Sequence, residues 1–335
     1  MTVYFQMNEI NDVAFKTVNN VIHKGSGYDT NNARGAIGVT ESSDTTGYFD
    51  SPAFSATDFW IHMATHNPTF GVLGVTADKS MLRIMSGGNP KFRITPVDSN
   101  GIQIDRWSGS AWVTLASGTL SGMFGANVRS VIDIHVEYGV AATITVYVNN
   151  TLIAVATNVD TTFSGTVTSY DLCRFGCPNN SSTGVEFGFS EIICADWNTI
   201  GSKLVTRIPD ANGNYAEWTS GDYTIVDEVT GGIDYATSPI ADQRVDWSMS
   251  SFPALTGNLV VASVQINATI NRDTTGPQAA NFYVRQGSTD YDDVDQALNV
   301  TQTSTRKQYP VDPSTGTTWS IANINSATYG IRSRS

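Results

Sequence analysis

The residues with the most chemical potential lie between positions 131 and 147. In VIDIHVE, Asp133, His135 and Glu137 alternate with Ile132, Ile134 and Val136. In TITVYVN, Thr143, Thr145, Tyr147 and Asn149 alternate with Ile144, Val146 and Val148. Carboxylates and an imidazole on one face could move protons, or accept hydrogen bonds from hydroxyl groups. The spacing decides between these two uses. Asp133 and Glu137 are four residues apart on a strand, which separates their Cα atoms by about 13 Å. Glycoside hydrolysis needs carboxyl groups about 5–5.5 Å apart for retention, or about 6.5–9.5 Å for inversion. The spacing therefore argues against catalysis by this pair. The polar face, Asp133, His135, Glu137 and Tyr147 with the two threonines, is a candidate glycan platform. The competing reading is a solvated or domain-facing side of an antiparallel sheet.

Two tryptophans are further candidates. Trp107 and Trp112 flank Ser108, Gly109, Ser110 and Ala111, a tight hairpin tip. They are placed either to stack on a sugar or to pack on each other across the hairpin. Trp60, Trp197 and Trp319 sit in apolar patterns and are expected in the core. Asp290, Asp292, Asp293 and Asp295 cluster in STDYDDVDQ, but the turn glycine and distal glutamate of a calcium loop are missing, so a solvated loop is expected. His62 and His66 are four apart on a strand, which does not make the metal pair that this spacing makes on a helix. Cys173, Cys177 and Cys194 are an odd set without a nearby histidine and read as buried thiols. No nucleophile elbow or phosphate loop occurs. Neither cofactor nor metal is expected, and the chain is not expected to be an enzyme.

The elements that must position these residues are strands. No segment shows a sustained helical period. Alternation pairs Glu137 with Thr143, His135 with Thr145 and Asp133 with Tyr147 across a five-residue loop, and a one-residue slip would bury the charged face. Further strands are read at 58–64, 70–76, 81–85, 91–95, 101–106, 111–115 and 187–195, separated by turn clusters such as Ser86-Gly87-Gly88-Asn89-Pro90. A boundary is placed near residue 200, followed by a turn-rich connection at 207–223. A second β-set follows at 258–272, 280–286 and 327–333, and in the first of these Val260, Ala262, Val264, Ile266, Ala268 and Ile270 share one face.

Composition narrows the partners. The 335 residues carry a formal net charge of −12, and only 15% are charged. An acidic chain is repelled by phosphate backbones, so nucleic acid is not an expected partner. No basic-then-apolar leader opens the sequence, and no run of about 20 apolar residues suggests membrane insertion.

Two resemblances complete the reading. VRSVIDIHVEYGVAATITVYVNNTLIAVAT resembles the core hairpin of laminin-G and concanavalin A-like domains, with Asn149-Asn150 where the family has Asn-Gly, and DFWIHM fits an early strand of that family. Glucanases on this fold carry a third carboxylate, where this chain has Val131. The stretch from SEIICADWNTIGSKLVTRIPDANGNY onward resembles structural proteins of tailed bacteriophages. The most distinctive piece is Asp312, Pro313, Thr315, Gly316 and Trp319, followed by Ile324, Asn325, Tyr329, Gly330 and Ile331. The resemblances imply an all-β chain, with a concanavalin A-like jelly-roll sandwich over 1–200 and a smaller C-terminal β-sandwich over 201–335. They imply a virion protein (a head fibre, decoration or tail appendage) assembled in the host cytoplasm. Its expected partners are other virion proteins and host-surface polysaccharide, and its expected assembly is a homo-oligomer, a trimer by analogy. Three readings stay open: a non-catalytic glycan binder, a purely structural decoration or adaptor protein, and a polysaccharide depolymerase.

Overall fold

The computed structural model of the chain describes residues 1–7, 15–16, 21–24, 36–40, 47–66, 80–124, 128–177, 186–227, 234–252 and 260–335. The strand expected at 70–76 lies outside them. The chain divides into two compact units, Met1–Thr206 and Arg207–Ser335. Both are built from antiparallel sheets, and the only α-helix among the described residues is one of six residues.

In the first unit the described strands are β1 (Val3–Met7), β2 (Phe15–Lys16), β3 (Val21–Lys24), β4 (Ala36–Thr40), β5 (Gly47–Asp50), β6 (Phe59–His66), β7 (Leu82–Ser86) and β8 (Asn89–Pro96). They continue as β9 (Gly101–Trp107), β10 (Trp112–Thr119), β11 (Arg129–Val136), β12 (Ala142–Val148), β13 (Thr151–Val159), β14 (Leu172–Cys177) and β15 (Glu186–Ala195). One sheet runs β13-β12-β11-β6-β15-β4-β3, with β1 also paired to β15. The second runs β10-β9-β8-β7-β14-β5-β2. The order of strands differs from their order in the chain, as in a jelly roll, so most neighbours come from distant sequence.

The core lies between the sheets. Ile61, Met63, Ile132, Ile134, Ile144 and Val146 project from the first, and Leu82, Ile84, Phe92, Ile94, Ile102, Ile104 and Phe175 from the second. Each such side chain contributes about 1.5–3 kcal/mol on full burial. The hairpin register read from alternation holds: Asp133 pairs with Tyr147 and His135 with Thr145, and the Glu137 amide donates to the Thr143 carbonyl at 3.1 Å. The next turn uses left-handed backbone at both Asn149 (φ 50°) and Asn150 (φ 66°), which asparagine tolerates better than most residues. At the edge of the sandwich β10 lies so close to β13 that a Cβ on Gly118 would sit 1.9 Å from the Ile153 carbonyl oxygen. Cys173 and Cys194 are fully buried free thiols.

The second unit contains β16 (Pro209–Ala216), β17 (Arg244–Met249), β18 (Val264–Ile270), β19 (Ala279–Gln286), β20 (Thr289–Asp292), β21 (Gln296–Ala297), β22 (Thr303–Tyr309), α1 (Ile321–Ser326) and β23 (Thr328–Arg334). One sheet runs β16-β17-β23-β19-β20, with β21 beside β19, and β18 pairs with β22 as a separate ribbon. Ile266, Ala268 and Ile270 of the ribbon pack on Val245, Trp247, Phe282 and Ile331 of the sheet. Of the two readings of 207–223, a linker or a structured connection, the second fits: the stretch contains β16, an edge strand on β17.

The acidic cluster departs in part from the reading as a solvated loop: Asp292 and Asp295 are exposed, but Asp290 and Asp292 lie in β20 and all four aspartates are ion-paired. Asp290 accepts from Arg244 at 2.7 Å and from Arg285 at 2.5 Å, Asp292 from Arg332 at 2.7 Å, Asp293 from Lys307, and Asp295 from Arg334 at 3.0 Å. Arg285 faces Asp290 across the β19–β20 hairpin, whereas the other basic residues come from β17, β22 and β23.

The Asp312-to-Ile331 motif proves to be scaffolding. Asp312 is fully buried. It accepts from the Ser314 amide at 2.9 Å, the Ser314 hydroxyl at 2.8 Å and Asn323 Nδ2 at 2.5 Å. Trp319 Nε1 donates to the Tyr309 carbonyl at 3.1 Å. A Cβ on Gly330 would meet Tyr283 Cζ at 2.4 Å and the Val245 carbonyl oxygen at 2.5 Å, so glycine is what lets β23 lie between β17 and β19.

Candidate functional site

The candidate residues fall on two different sheets. Asp133, His135, Glu137 and Tyr147 lie on the first sheet, and Trp107 and Trp112 on the second. The structure does not unite them in one platform.

On the first sheet, the side chains facing away from the core are largely engaged with each other. Asp133 is fully buried, so it is not an open ligand group. Its Oδ1 takes the Thr199 hydroxyl at 2.7 Å and lies 2.8 Å from Nδ1 of the equally buried His62. Thr199 follows β15 and comes over this face, which is why a strand position that alternation marks as exposed is shut off from water. Glu137 Oε2 accepts from the Thr143 amide at 2.9 Å. His135 lies flat on Trp60, with ring centroids 4.4 Å apart and planes 9° apart, and its Nε2 is 3.0 Å from Asp58 Oδ1. Tyr147 stacks on Trp60 at 6.0 Å. Trp60 is thus not a core residue but the centre of an aromatic group on the outer face. Trp197, also assigned to the core by its apolar surroundings, is only half-buried.

The outer face of the second sheet is different in kind. The register aligns Asp50 with Arg174, Arg174 with Arg83, Arg83 with Arg93, Arg93 with Asp105, and Asp105 with Thr114. Six residues on β5, β14, β7, β8, β9 and β10 thus form one transverse row. At about 4.8 Å per strand spacing the row is roughly 24 Å long.

Its ends are ion pairs. Arg174 grips Asp50 with two donors, Nε to Oδ1 at 2.7 Å and Nη2 to Oδ2 at 2.9 Å. Burial works against the charge on Arg174, but the bonds to Asp50 outweigh it and hold its pKa above the usual arginine value. Arg93 Nε donates to Asp105 Oδ2 at 2.7 Å, and Gln103 Nε2 donates to Asp105 Oδ1 at 2.5 Å and to Thr114 Oγ1 at 2.7 Å. In the middle, Arg83 Nε donates to Ser80 Oγ at 2.9 Å.

Aromatic rings lie beside the guanidinium groups. Arg93 and Arg83 lie 4.6 and 5.5 Å from the Trp112 ring centroid, and Arg174 lies 3.9 Å from that of Tyr48. Trp107 meets Trp112 edge-on, with centroids 5.1 Å apart. The hairpin tip between them is closed by the Ser108 amide on the Ala111 carbonyl at 2.9 Å. Trp107, Trp112, Tyr48, Arg83, Arg93, Arg174 and Gln103 are all partly exposed.

Sequence reading found Trp107 and Trp112 but missed the row. A signal exists: Arg83, Arg93 and Arg174 each stand between two apolar neighbours, in LRI, FRI and CRF, and GIQIDR places Gln103 between Ile102 and Ile104 the same way. That these positions align is a matter of strand order, which no single strand reveals.

No family model matches the chain, and none of the curated proteins is similar to it in sequence. Solved structures are similar to it at low identity. The endo-β-1,4-glucuronan lyase of the fungus Trichoderma reesei is 10% identical over 58% of this chain and 96% of its own, with a TM-score of 0.40. Cellulose induced protein Cip1 is 16% identical over 58% and 92%, with a TM-score of 0.40. The carbohydrate recognition domain of Emp47p is 12% identical over 58% and 95%, with a TM-score of 0.36.

Proposed function

We propose that the chain is a non-catalytic glycan-binding structural protein of a bacteriophage particle, and that it holds polysaccharide on the outer face of its second sheet. The observation that carries this reading is the combination on that face of partly exposed aromatic rings, Trp107, Trp112 and Tyr48, with a row of fixed hydrogen-bonding groups. A pyranose offers an apolar ring face and a rim of hydroxyls, and such a surface complements both. The place in a virion rests on the resemblance of the second half to phage structural proteins, and the homo-oligomer on the symmetry usual in particle appendages.

The absence of catalysis is part of the proposal. The strand carboxylates that would be first suspected have structural partners, Asp133 on His62 and Thr199 and Glu137 on the Thr143 amide.

Binding of the fluorescently labelled protein to host cells, with and without their surface polysaccharide, tests the reading. Binding confined to cells that carry the polysaccharide, with no reducing sugar or unsaturated product released, is the expected result. Equal binding to stripped cells, or binding to neither, would leave a decoration or adaptor protein. Immunogold labelling of purified particles with an antibody to the chain tests the virion assignment, and unlabelled particles would refute it.

A further inference from the structure

Resting on the glycan-binding reading, we infer that the second unit carries a site of its own, a recess beside the buried Tyr309 hydroxyl that takes a neutral sugar residue.

The recess has a volume of about 320 Å³, at the lower end of the range usual for small-molecule sites. Its walls are mostly apolar, with Tyr291 on β20 and Pro310, Val311 and Pro313 on the loop after β22. In that loop the usual order is inverted. Asp312 is fully buried, whereas Pro310 is exposed and Val311 is 44% exposed. The bonds that hold Asp312 to Ser314 and Asn323, and Trp319 to the Tyr309 carbonyl, therefore fix the lip of the recess. Binding groups are commonly carried on loops that a rigid scaffold holds, and the Asp312-to-Trp319 motif supplies that scaffold here.

Tyr309 adds a polar group that the fold does not use. Its side chain is buried, 6% exposed, and its hydroxyl has no hydrogen-bond partner among the described residues. Leaving a buried donor unpaired is costly, so such a group calls for an explanation. Burial, and after it the charges of Asp293 and Asp292, push the phenol above its ordinary pKa. Both aspartates line the recess, which sets the hydroxyl on that side of the residue. It stays protonated at neutral pH and is a donor waiting for an acceptor.

The ligand class follows from charge and surface. Asp293 meets Lys307 and Asp292 meets Arg332. Neither aspartate presents an uncompensated charge to an ion, yet a paired carboxylate keeps lone pairs for further hydrogen bonds. The recess suits an uncharged molecule with one apolar face and several hydroxyls. The face lies on Tyr291 and the prolines, one hydroxyl accepts from Tyr309, and another donates to Asp292. A pyranose meets all three demands. A run of prolines would meet the apolar wall and offer carbonyls to Tyr309, but it has no N–H to give Asp292.

The test uses the full chain. Biolayer interferometry reads binding to immobilised dextran, mannan, galactan and polygalacturonate. Two-dimensional NMR locates the methyl glycosides of the corresponding neutral sugars, with galacturonate and decaproline alongside. The expected result is that a neutral glycoside shifts signals of residues 291–293 and 307–313. Galacturonate should bind there about fivefold more weakly, and Tyr309→Phe should weaken the neutral sugar by about fivefold. Without ligand the same variant should melt no lower than wild type, because the hydroxyl it loses has no partner in the fold. Trp112→Ala should leave these shifts in place. A lower melting point for Tyr309→Phe would give the hydroxyl a structural role and overturn the inference. Shifts confined to the surroundings of Tyr48, Trp107 and Trp112, or a sugar affinity that Tyr309→Phe leaves unchanged, would overturn this site and leave the glycan reading standing. Galacturonate bound as well as the neutral sugars, or shifts caused by decaproline and by no sugar, would overturn it too. No shift with any sugar, and no binding to the polymers or to host cells, would overturn both.

Discussion

His62 Nδ1 lies 2.8 Å from Asp133 Oδ1, with both side chains wholly buried beyond the core face of the first sheet. The Thr199 hydroxyl reaches the same carboxylate oxygen at 2.7 Å. This cluster joins β6, β11 and the segment after β15, and it turns a residue that looks like a ligand group into a structural one. Asp133→Ala should leave His62 and Thr199 without this partner and cost about 3 kcal/mol of stability. Urea unfolding measures the loss. The polymer binding of the folded fraction should be unchanged; a loss of binding without a loss of stability would return Asp133 to the ligand site.

Trp112 serves both the hairpin and the charged row, since it packs edge-on against Trp107 and stacks on Arg83 and Arg93. Trp112→Ala should weaken glycan binding about tenfold through loss of the aromatic face and of the stacked guanidinium groups. Titration against the polymer that wild type binds best would measure this, with circular dichroism as the check on folding. Unchanged affinity in a folded variant would mean that the tryptophan pair only packs the hairpin.

At Gly118 the edges of the two sheets approach closely. Gly118→Ala would put a methyl group 1.9 Å from the Ile153 carbonyl oxygen, which is backbone and cannot rotate away. The variant should lose at least about 1–3 kcal/mol, the usual range for overpacking. A calorimetric midpoint equal to that of wild type would show that β10 and β13 are not held this close in solution.

Asp312 gives the second unit an acid-sensitive joint. Burial alone would raise its pKa, but bonds from Asn323 and Ser314 outweigh that and hold it below the usual aspartate value. A carboxyl depressed in the folded state stabilises the fold above its unfolded pKa of about 3.9. That contribution disappears as pH falls through the lower, folded value. The urea midpoint measured between pH 5 and pH 2 should therefore fall less in Asp312→Asn than in wild type. Parallel curves would contradict the assignment.

Burial pushes the Cys173 and Cys194 thiols well above their ordinary pKa. Neither should react with iodoacetamide at pH 8 in the native protein, and both should react in denaturant, as peptide mass spectrometry can resolve. Rapid native labelling of either would show that the core opens.

How much of this was legible beforehand differs by residue. The β11–β12 register follows from Ile132, Ile134 and Val136 facing Ile144, Val146 and Val148, because a one-residue slip would exchange buried and exposed faces. The turn at Asn149 and Asn150 follows from residues that accept positive φ. The burial of Asp133 does not follow, because alternation says which face a side chain takes and not what later covers that face. Trp60 was misplaced for the same reason: an apolar neighbourhood in sequence put it in the core, whereas it stacks under His135 outside. The four clustered aspartates were read as solvated because the arginines that neutralise them stand up to about fifty residues away in sequence.

By itself the sequence determined an all-β chain, about half of its described strands, the inward faces of the β11–β12 hairpin and of β18, and the turn at Asn149 and Asn150. These depend on a two-residue period and on local backbone preference, both contained in a few consecutive residues. Only the tertiary structure decided which strands distant in sequence are neighbours. That choice brings Asp50, Arg83, Arg93, Asp105 and Arg174 into one row and separates Trp107 and Trp112 from Asp133, His135, Glu137 and Tyr147. The physical reason is that strand order is set by how all the apolar faces together bury against each other, a property of the whole chain that no single strand carries.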